Sequence, residues 1–188
     1  MHTPLVSRRR LTLALAALPA IGGLRGSALR AANAAADDAA AGLSHDAEAI
    51  HQEVTFAASP LAVYEVLTST ARFDAVTRLS DAVTLLSAPG AQATRIASQP
   101  GGAFVLFGGY ITGRHVEMVR GERLVQAWRT GSWSAGHYSI VTFTLAPASA
   151  GCHLRFDHRG FPPGEGASLA YGWRVHYWEP LARLLRNP

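Results

Sequence analysis

"GWRVHYWEPL", Gly172 to Leu181, is the stretch that decides the fold. Two tryptophans, a tyrosine, a histidine and a proline lie in ten residues that otherwise read as helix. An apolar residue recurs every three to four positions, forming one helix face of Leu169, Trp173, Tyr177, Leu181 and Leu184. Pro180 removes an internal hydrogen bond, so we expect the helix to bend near Trp178. We expect the aromatic face of this helix to pack against another part of the fold.

That part of the fold is predicted upstream, between Asp81 and His158. The segments "AVTLLS", "ATRIAS", "AFVLFG", "YITGRHVEMV", "RLVQAWRTG", "YSIVTFTLAP" and "CHLRFDH" are short and rich in apolar residues. Glycine and proline turns such as Pro89-Gly90 and Gly108-Gly109 separate them. Seven or so neighbouring strands joined by short turns indicate an antiparallel, strongly curved sheet.

The segments before this region complete the fold class. Residues Ile50 to Phe56 alternate apolar and polar side chains, which predicts a first strand. Ser59 as N-cap, with Pro60 at the first helical position, then begins a short helix, and Thr70 is a candidate cap for a second one. Strands in a row with helices at both ends form an α+β domain. We expect the C-terminal helix to fill the concave face of the sheet.

The first quarter of the chain has the pattern of an export signal. Three arginines, Arg8 to Arg10, precede an uncharged run of 14 residues from Leu11 to Leu24. Because a bilayer span takes roughly 20 residues, no stable membrane anchor is expected. The stretch Ser7 to Leu11 also resembles a twin-arginine signal, the alternative being a general secretory signal. We predict a twin-arginine-type signal peptide over 1–34, an alanine-rich spacer over 35–47, a domain over 48–188, and a periplasmic or secreted location.

Charge and cysteine content exclude several classes of function. From His45 onward the chain has 12 arginines and 11 acidic residues, so the net charge of +4 falls to about +1. The excess basic charge therefore belongs to the signal, and no basic patch indicates nucleic-acid binding. Cys152 is the single cysteine, which rules out an internal disulfide.

Four blocks of sequence carry a resemblance to a known family. They are "GGAFVLFGGYITGRHVEM", "RLVQAWRTGSWSAGHYSIVTFTL", "LRFDHRGFPPGEG" and "YGWRVHYWEPL". In this order they resemble the activator of heat-shock protein 90 ATPase homologue-like family, within the START-like or SRPBCC superfamily. The resemblance runs from about Ile50 to Leu185. It implies the helix-grip fold, in which an antiparallel sheet wraps around a long C-terminal helix and encloses a cavity.

No pattern in the domain indicates catalytic or metal chemistry. In a strand, His153 and Asp157 share one face while His158 points to the other, so the three cannot converge on a metal. The chain has no G-x-S-x-G motif and no base beside Cys152, and we predict no catalytic residues and no cofactor. Since some START-like relatives are cyclases or hydrolases, a small enzyme stays as one alternative. A co-chaperone-like module with a chaperone or another protein client is another.

The preferred hypothesis is a domain that binds a hydrophobic or amphipathic small molecule between sheet and helix. His158 shares a strand face with Leu154 and Phe156, so it is either a core histidine or a polar anchor for the ligand. The aromatic residues either fill the core or line a cavity, with Phe73 as a lid. The predicted ligand-binding residues are Phe73, Phe104, Phe107, Tyr110, Trp128, Trp133, His158, Trp173, His176 and Tyr177.

Overall fold

The computed structural model describes residues 48–186. The predicted signal peptide over 1–34 and the predicted spacer over 35–47 lie outside this range. No helix within residues 48–186 has both the length and the apolar character that crossing a membrane requires.

A seven-stranded antiparallel sheet forms the body of the domain. Its strands are β1 (Ala49–Phe56), β2 (Arg95–Ile96), β3 (Ala103–Leu106), β4 (Ile111–Val119), β5 (Arg123–Thr130), β6 (Ser139–Ala148) and β7 (Gly151–Arg159). The spatial order is β1-β7-β6-β5-β4-β3-β2. The curved α+β architecture expected from the sequence is confirmed.

Alternation along the strands sends one set of side chains into the core. In β7, Leu154, Phe156 and His158 are fully buried, while Arg155 between them is exposed. The register pairs Phe143 of β6 with Phe156 of β7. Their rings pack against each other in the core, with centroids 5.4 Å apart. Burial of His158 on this face agrees with the alternation predicted from the sequence.

Two short helices, α1 (Pro60–Thr68) and α2 (Thr70–Arg78), follow β1 as expected. The Ser59 hydroxyl accepts a hydrogen bond from the Ala62 amide at 3.2 Å and caps α1. The cap of α2 is Ser69, whose Oγ accepts from Arg72 N at 3.5 Å, and the prediction of Thr70 was wrong by one residue. Ser69 also ends α1, because its amide donates to Glu65 O.

The segment predicted as the first strand of the β region is a helix. Residues Asp81–Ser87 form a 3₁₀ helix, so the strand prediction for "AVTLLS" was wrong. A short apolar run fits a strand and a buried helical turn equally well, and periodicity cannot separate them. Six strands therefore lie between Asp81 and Arg159, and β1 completes the sheet.

The C-terminal helix runs over 166–186 with an unusual centre. Its parts are α3 (Gly166–Gly172), a π-helical segment (Trp173–Trp178) and α4 (Glu179–Arg186). The Glu179 amide donates to Arg174 O, five residues back, which is the π-type bond. Pro180 supplies no amide proton and its ring would clash with the His176 carbonyl in a regular α-helix. A wider, π-type turn therefore lies beside Pro180, and the bend expected near Trp178 stays a prediction.

Gln52 of β1 attaches the helix to the sheet at the π-helical segment. Its side-chain oxygen accepts from Trp178 Nε1 at 2.6 Å, and its amide nitrogen donates to Ala170 O at 3.0 Å. The aromatic side of the helix is buried: Trp173, Tyr177 and Trp178 are each at most 5% exposed. The helix therefore packs along the concave face.

Candidate functional site: an aromatic cavity beneath the C-terminal helix

A cavity of about 380 Å³ lies between the C-terminal helix, β5 and the 81–87 helix. Trp128 and Thr130 of β5 form the sheet side, since both point inward on alternate positions. Trp173 and Tyr177 form the helix side. The 81–87 helix, with Leu85 at the cavity, covers the third side.

Aromatic rings form a large part of the wall, since six of the seventeen lining residues are Phe, Tyr or Trp. The ring centroids of Trp173 and Tyr177 are 4.2 Å apart, and those of Trp128 and Trp173 are 5.4 Å apart. Two further rings stand at the rim, because Tyr110 is 45% exposed and Tyr171 is 60% exposed. The interior of the cavity is thus apolar and its mouth is partly polar.

Phe107 supports this wall from a strained turn. Its φ of 51° lies in the left-handed region that side chains rarely adopt. This conformation directs the ring between Phe73 and Tyr177, whose centroids lie 5.5 and 5.2 Å away. These edge-to-face contacts hold the Tyr177 ring at the cavity wall.

Three buried polar atoms of the wall have no hydrogen-bond partner within residues 48–186. They are Trp128 Nε1, His176 Nδ1 and Tyr177 Oη. Trp128 Nε1 approaches the Tyr177 hydroxyl without hydrogen-bond geometry. A buried donor left unpaired costs about 1–3 kcal/mol. The cavity wall therefore contains polar groups whose bonding capacity is unused.

Burial keeps these groups uncharged. It raises the pKa of Tyr177, and the nearby Trp128 indole offsets this only partly. Burial lowers the pKa of His176, and the negative charge of Asp81 partly opposes that shift. At neutral pH the wall offers a phenol, an indole N–H and a neutral imidazole.

The fold agrees with that of known proteins. The family model described as "Activator of Hsp90 ATPase homolog 1-like protein" matches residues 57–186. The chain belongs to this family. The resemblance predicted from the sequence is thereby confirmed.

The chain matches its curated relatives over only part of their length. The chain is 30% identical over 127 residues to human activator of 90 kDa heat shock protein ATPase homolog 1, covering 68% of this chain and 34% of the relative. It is 29% identical over 90 residues to mouse homolog 2, covering 48% of this chain and 27% of that protein. An HSP90 activator from Plasmodium falciparum has a similar fold, with a TM-score of 0.60 and 22% identity over 76% of this chain and 97% of that one.

In this family member a hydrogen-bonded chain fixes the two tryptophans of the cavity. Trp173 Nε1 donates to His158 Nδ1 at 3.0 Å, and His158 Nε2 lies 2.7 Å from Ser139 Oγ. Ser139 Oγ donates to Trp128 O at 3.0 Å, so it must accept from His158. His158 is therefore neutral with its proton on Nε2. Burial agrees with this, lowering the pKa of His158 to about 3.

The predicted ligand-binding residues divide into two groups. Six of them line the cavity: Phe107, Tyr110, Trp128, Trp173, His176 and Tyr177. Four lie outside its lining: Phe73, Phe104, Trp133 and His158. These four are buried behind the wall, where Trp133 and His158 each contact the Trp128 ring edge-on at 5.5 and 5.1 Å. A role in binding stays a prediction for all ten.

Several lining residues were missed from the sequence. Thr84 and Leu85 were assigned to a strand, and Asp81 and Glu165 were not predicted as site residues. Gly172 lines the cavity in the middle of the helix, where glycine costs about 1 kcal/mol relative to alanine. A Cβ there would meet only His176 Cδ2, at 3.9 Å. A glycine inside a predicted aromatic helix was the one available signal.

The outer face of the sheet carries a cluster of charged groups. His51 Nδ1 lies 2.9 Å from Asp157, and His153 lies 3.8 Å from Glu53. The carboxylates of Asp157 and Glu53 raise the pKa of His51, chiefly through the hydrogen bond between His51 and Asp157. Within residues 48–186, no group of three or more His, Cys, Asp or Glu side chains has a metal-binding arrangement.

Proposed function

We propose that the domain encloses a hydrophobic or amphipathic small molecule in this cavity. The observation that carries the proposal is the combination of aromatic walls with three unpaired polar atoms on the same wall residues. Small-molecule sites typically combine an apolar lining with a few polar groups in roughly 300–1,000 Å³. The volume of about 380 Å³ suits a compact ligand of one to three rings.

The binding energy would come mainly from burial of apolar ligand surface, at about 25 cal/mol per Å². The polar atoms would set the orientation. A small rotation of Tyr177 or His176 would let an acceptor oxygen use the hydroxyl or the imidazole. The Gly172 position supports the proposal as well, because any larger residue there would extend from the wall of the cavity.

Gly172→Leu tests the proposal with a matched control on the same helix. Its backbone is helical, with φ −56° and ψ −43°, so leucine fits without strain and should fill part of the cavity. Ala167→Leu adds an apolar side chain at an exposed position outside the lining. Binding of the neutral probe N-phenyl-1-naphthylamine is measured by fluorescence. We expect the wild type and Ala167→Leu to bind and Gly172→Leu to lose affinity by at least about tenfold.

Equal binding by all three proteins, or by none, would refute the cavity as the site. Native mass spectrometry of protein purified from its own host then tests for a resident molecule. We expect a mass above that of the polypeptide, which Gly172→Leu abolishes.

Family membership supports a second candidate, a co-chaperone-like module. The mammalian relatives are named as activators of a chaperone ATPase, and the chain spans 27–34% of their length. ATPase turnover of a purified Hsp90-type chaperone tests this candidate. Stimulation that persists in Gly172→Leu would favour a surface interaction over cavity binding.

We also propose export through the arginine-containing N-terminal segment. Arg8, Arg9 and Arg10 precede the apolar run as a twin-arginine signal requires. Replacing all three by lysine should retain the protein in the cytoplasm of a bacterial host. Unchanged appearance in the periplasmic fraction would contradict the twin-arginine route.

A further inference from the structure

The charge at the mouth of the cavity narrows the class of ligand. Within the described range, two ionised side chains line the cavity, Asp81 and Glu165, and both are carboxylates. Neither has an ion-pair partner or a side-chain hydrogen bond among residues 48–186. Asp81 is exposed and Glu165 is half-buried, so the charge stands at the rim rather than in the aromatic interior.

The cation beside Tyr171 at the rim does not cancel this charge. Arg174 stands 5.1 Å from the Tyr171 ring centroid, but its guanidinium is paired with the Glu179 carboxylate. Arg174 and Glu179 both lie outside the lining. His176, the remaining titratable group between rim and interior, is held neutral by burial.

The rim also offers aromatic faces. Tyr110 and Tyr171 are both exposed beside the cavity. Tyrosine and tryptophan faces attract cations within about 6 Å, and such attraction adds to that of a carboxylate. An anionic ligand would meet two carboxylates at the rim, where Arg174 beside Tyr171 is already paired with Glu179.

The buried part of the cavity wall gives a second, independent indication of the ligand's chemistry. Trp128 is 3% exposed and Tyr177 is 5% exposed, and each carries an unpartnered donor on a residue that lines the cavity. An indole N–H can only donate, so an acceptor oxygen on a ligand could pair with it, or with the Tyr177 hydroxyl, after a small rotation of the side chain. The rim of the cavity thus favours a cationic group on the ligand, and the interior favours a hydrogen-bond acceptor on the same molecule.

We infer that the cavity takes an aromatic amine, with its rings against the wall of Trp128, Trp173 and Tyr177, an acceptor oxygen at the Tyr177 end and a protonated amino group at the rim beside Asp81 and Glu165. The inference rests on the proposed function and specifies its ligand class. The two carboxylates at the rim favour a positively charged ligand. The two donors in the interior favour a ligand that carries a hydrogen-bond acceptor.

Three ligands with one scaffold separate charge from shape. They are 2-(1-naphthyloxy)ethylamine, 2-(1-naphthyloxy)ethanol and (1-naphthyloxy)acetate, which share the rings and the ether oxygen. Calorimetric titration at pH 7 gives their dissociation constants. Two partly exposed ion pairs supply a preference of about tenfold for the amine over the alcohol. The acetate should bind more weakly than the alcohol, and added salt should reduce the amine preference.

The double variant Asp81→Asn/Glu165→Gln should bind all three ligands with similar affinity. Glu122→Gln removes a carboxylate that does not line the cavity and should keep the amine preference. Circular dichroism melting checks that each variant is folded. An alcohol or acetate that binds the wild type as tightly as the amine would overturn the inference, as would a preference that survives in the double variant. Absence of binding for every ligand would refute the inference together with the proposed function, whereas binding without charge selectivity refutes the inference alone.

Discussion

The indole nitrogen of Trp173 donates to His158 Nδ1 at 3.0 Å, joining the centre of the C-terminal helix to the innermost histidine of β7. The bond continues through Ser139 to the backbone of Trp128. Both cavity tryptophans are therefore held by one buried histidine that does not line the cavity itself. His158 acts as a positioning residue for the aromatic wall.

Replacing His158 by phenylalanine should destabilise the domain by about 2 kcal/mol. An aromatic ring is kept, but the Trp173 N–H is left buried without an acceptor. Urea unfolding measures the effect. His153→Phe is the control on the same strand, because His153 points outward with a side chain 41% exposed, and its change should stay within about 0.5 kcal/mol. Equal unfolding midpoints for wild type and His158→Phe would contradict the role of the bond.

Stability should fall as the pH drops below neutrality. The unfolded chain protonates His158 near pH 6.5, while the folded pKa is lowered to about 3 by burial. Between these values the unfolded state binds one more proton, which costs the folded state at most about 1.4 kcal/mol per pH unit. His115 and His176 have lowered pKa values and act in the same direction, while exposed His51 acts in the opposite one. The slope of unfolding free energy against pH should therefore be smaller in His158→Phe, and an unchanged slope would disprove the assignment.

Tyr177→Phe should separate stability from binding. The hydroxyl is buried without a partner, so its removal should leave the free energy of unfolding unchanged or raise it by about 1 kcal/mol. Ligand binding should weaken, because the hydroxyl is the proposed donor to the ligand. Thermal unfolding and calorimetric titration of the same protein samples measure both effects. A large loss of stability would show that the hydroxyl has a partner in the free protein.

Gly172→Ala should stabilise the domain by about 0.5–1 kcal/mol. The added methyl group meets only an ordinary contact with His176, at 3.9 Å. Gly113→Ala provides the contrast, since a Cβ there would lie 2.1 Å from Ala127 O and 2.3 Å from Phe104 Cζ. We expect this second change to destabilise by more than 1 kcal/mol. Chemical denaturation of both variants tests the pair, and a destabilising Gly172→Ala would mean that the helix centre is less open than described.

Gln52→Leu should cost about 2 kcal/mol, because it removes the bonds to Trp178 Nε1 and to the Ala170 carbonyl. Gln52→Glu keeps an acceptor for Trp178 but places a carboxylate against that carbonyl, so it should destabilise as well. Glu53→Gln, on the outer face of the same strand, is the control. Unfolding midpoints that match across all three variants would show that the side chain of Gln52 does not hold the helix.

Much of the fold followed from local patterns. The alternation in β1 and β7 and the Ser59-Pro60 cap predicted elements that the structure contains. The strand prediction for 82–87 failed because this six-residue segment, with four apolar residues, lacks a decisive period. Thr70 was wrong because adjacent hydroxyl residues compete for one cap position, and the path of the chain out of α1 selects Ser69.

The site was predictable only in part. Aromatic residues concentrated on the predicted helix and strands indicated Trp173, Tyr177 and Trp128, and all three line the cavity. Spacing could not distinguish the cavity wall from the core behind it, which is where Phe73 and His158 lie. That difference is a matter of a few ångströms in depth, and it depends on how the helix sits on the sheet.

The amino-acid sequence by itself determined the family, the α+β class and the aromatic face of the last helix, because period and turn chemistry are local properties. Only the tertiary structure decided that the 81–87 segment covers the cavity, that the helix widens into a π-type turn, and that two carboxylates meet at one rim. The cover of the cavity and its rim depend on residues about 85 positions apart along the chain, such as Asp81 and Glu165. Their proximity arises from packing, which no local pattern encodes.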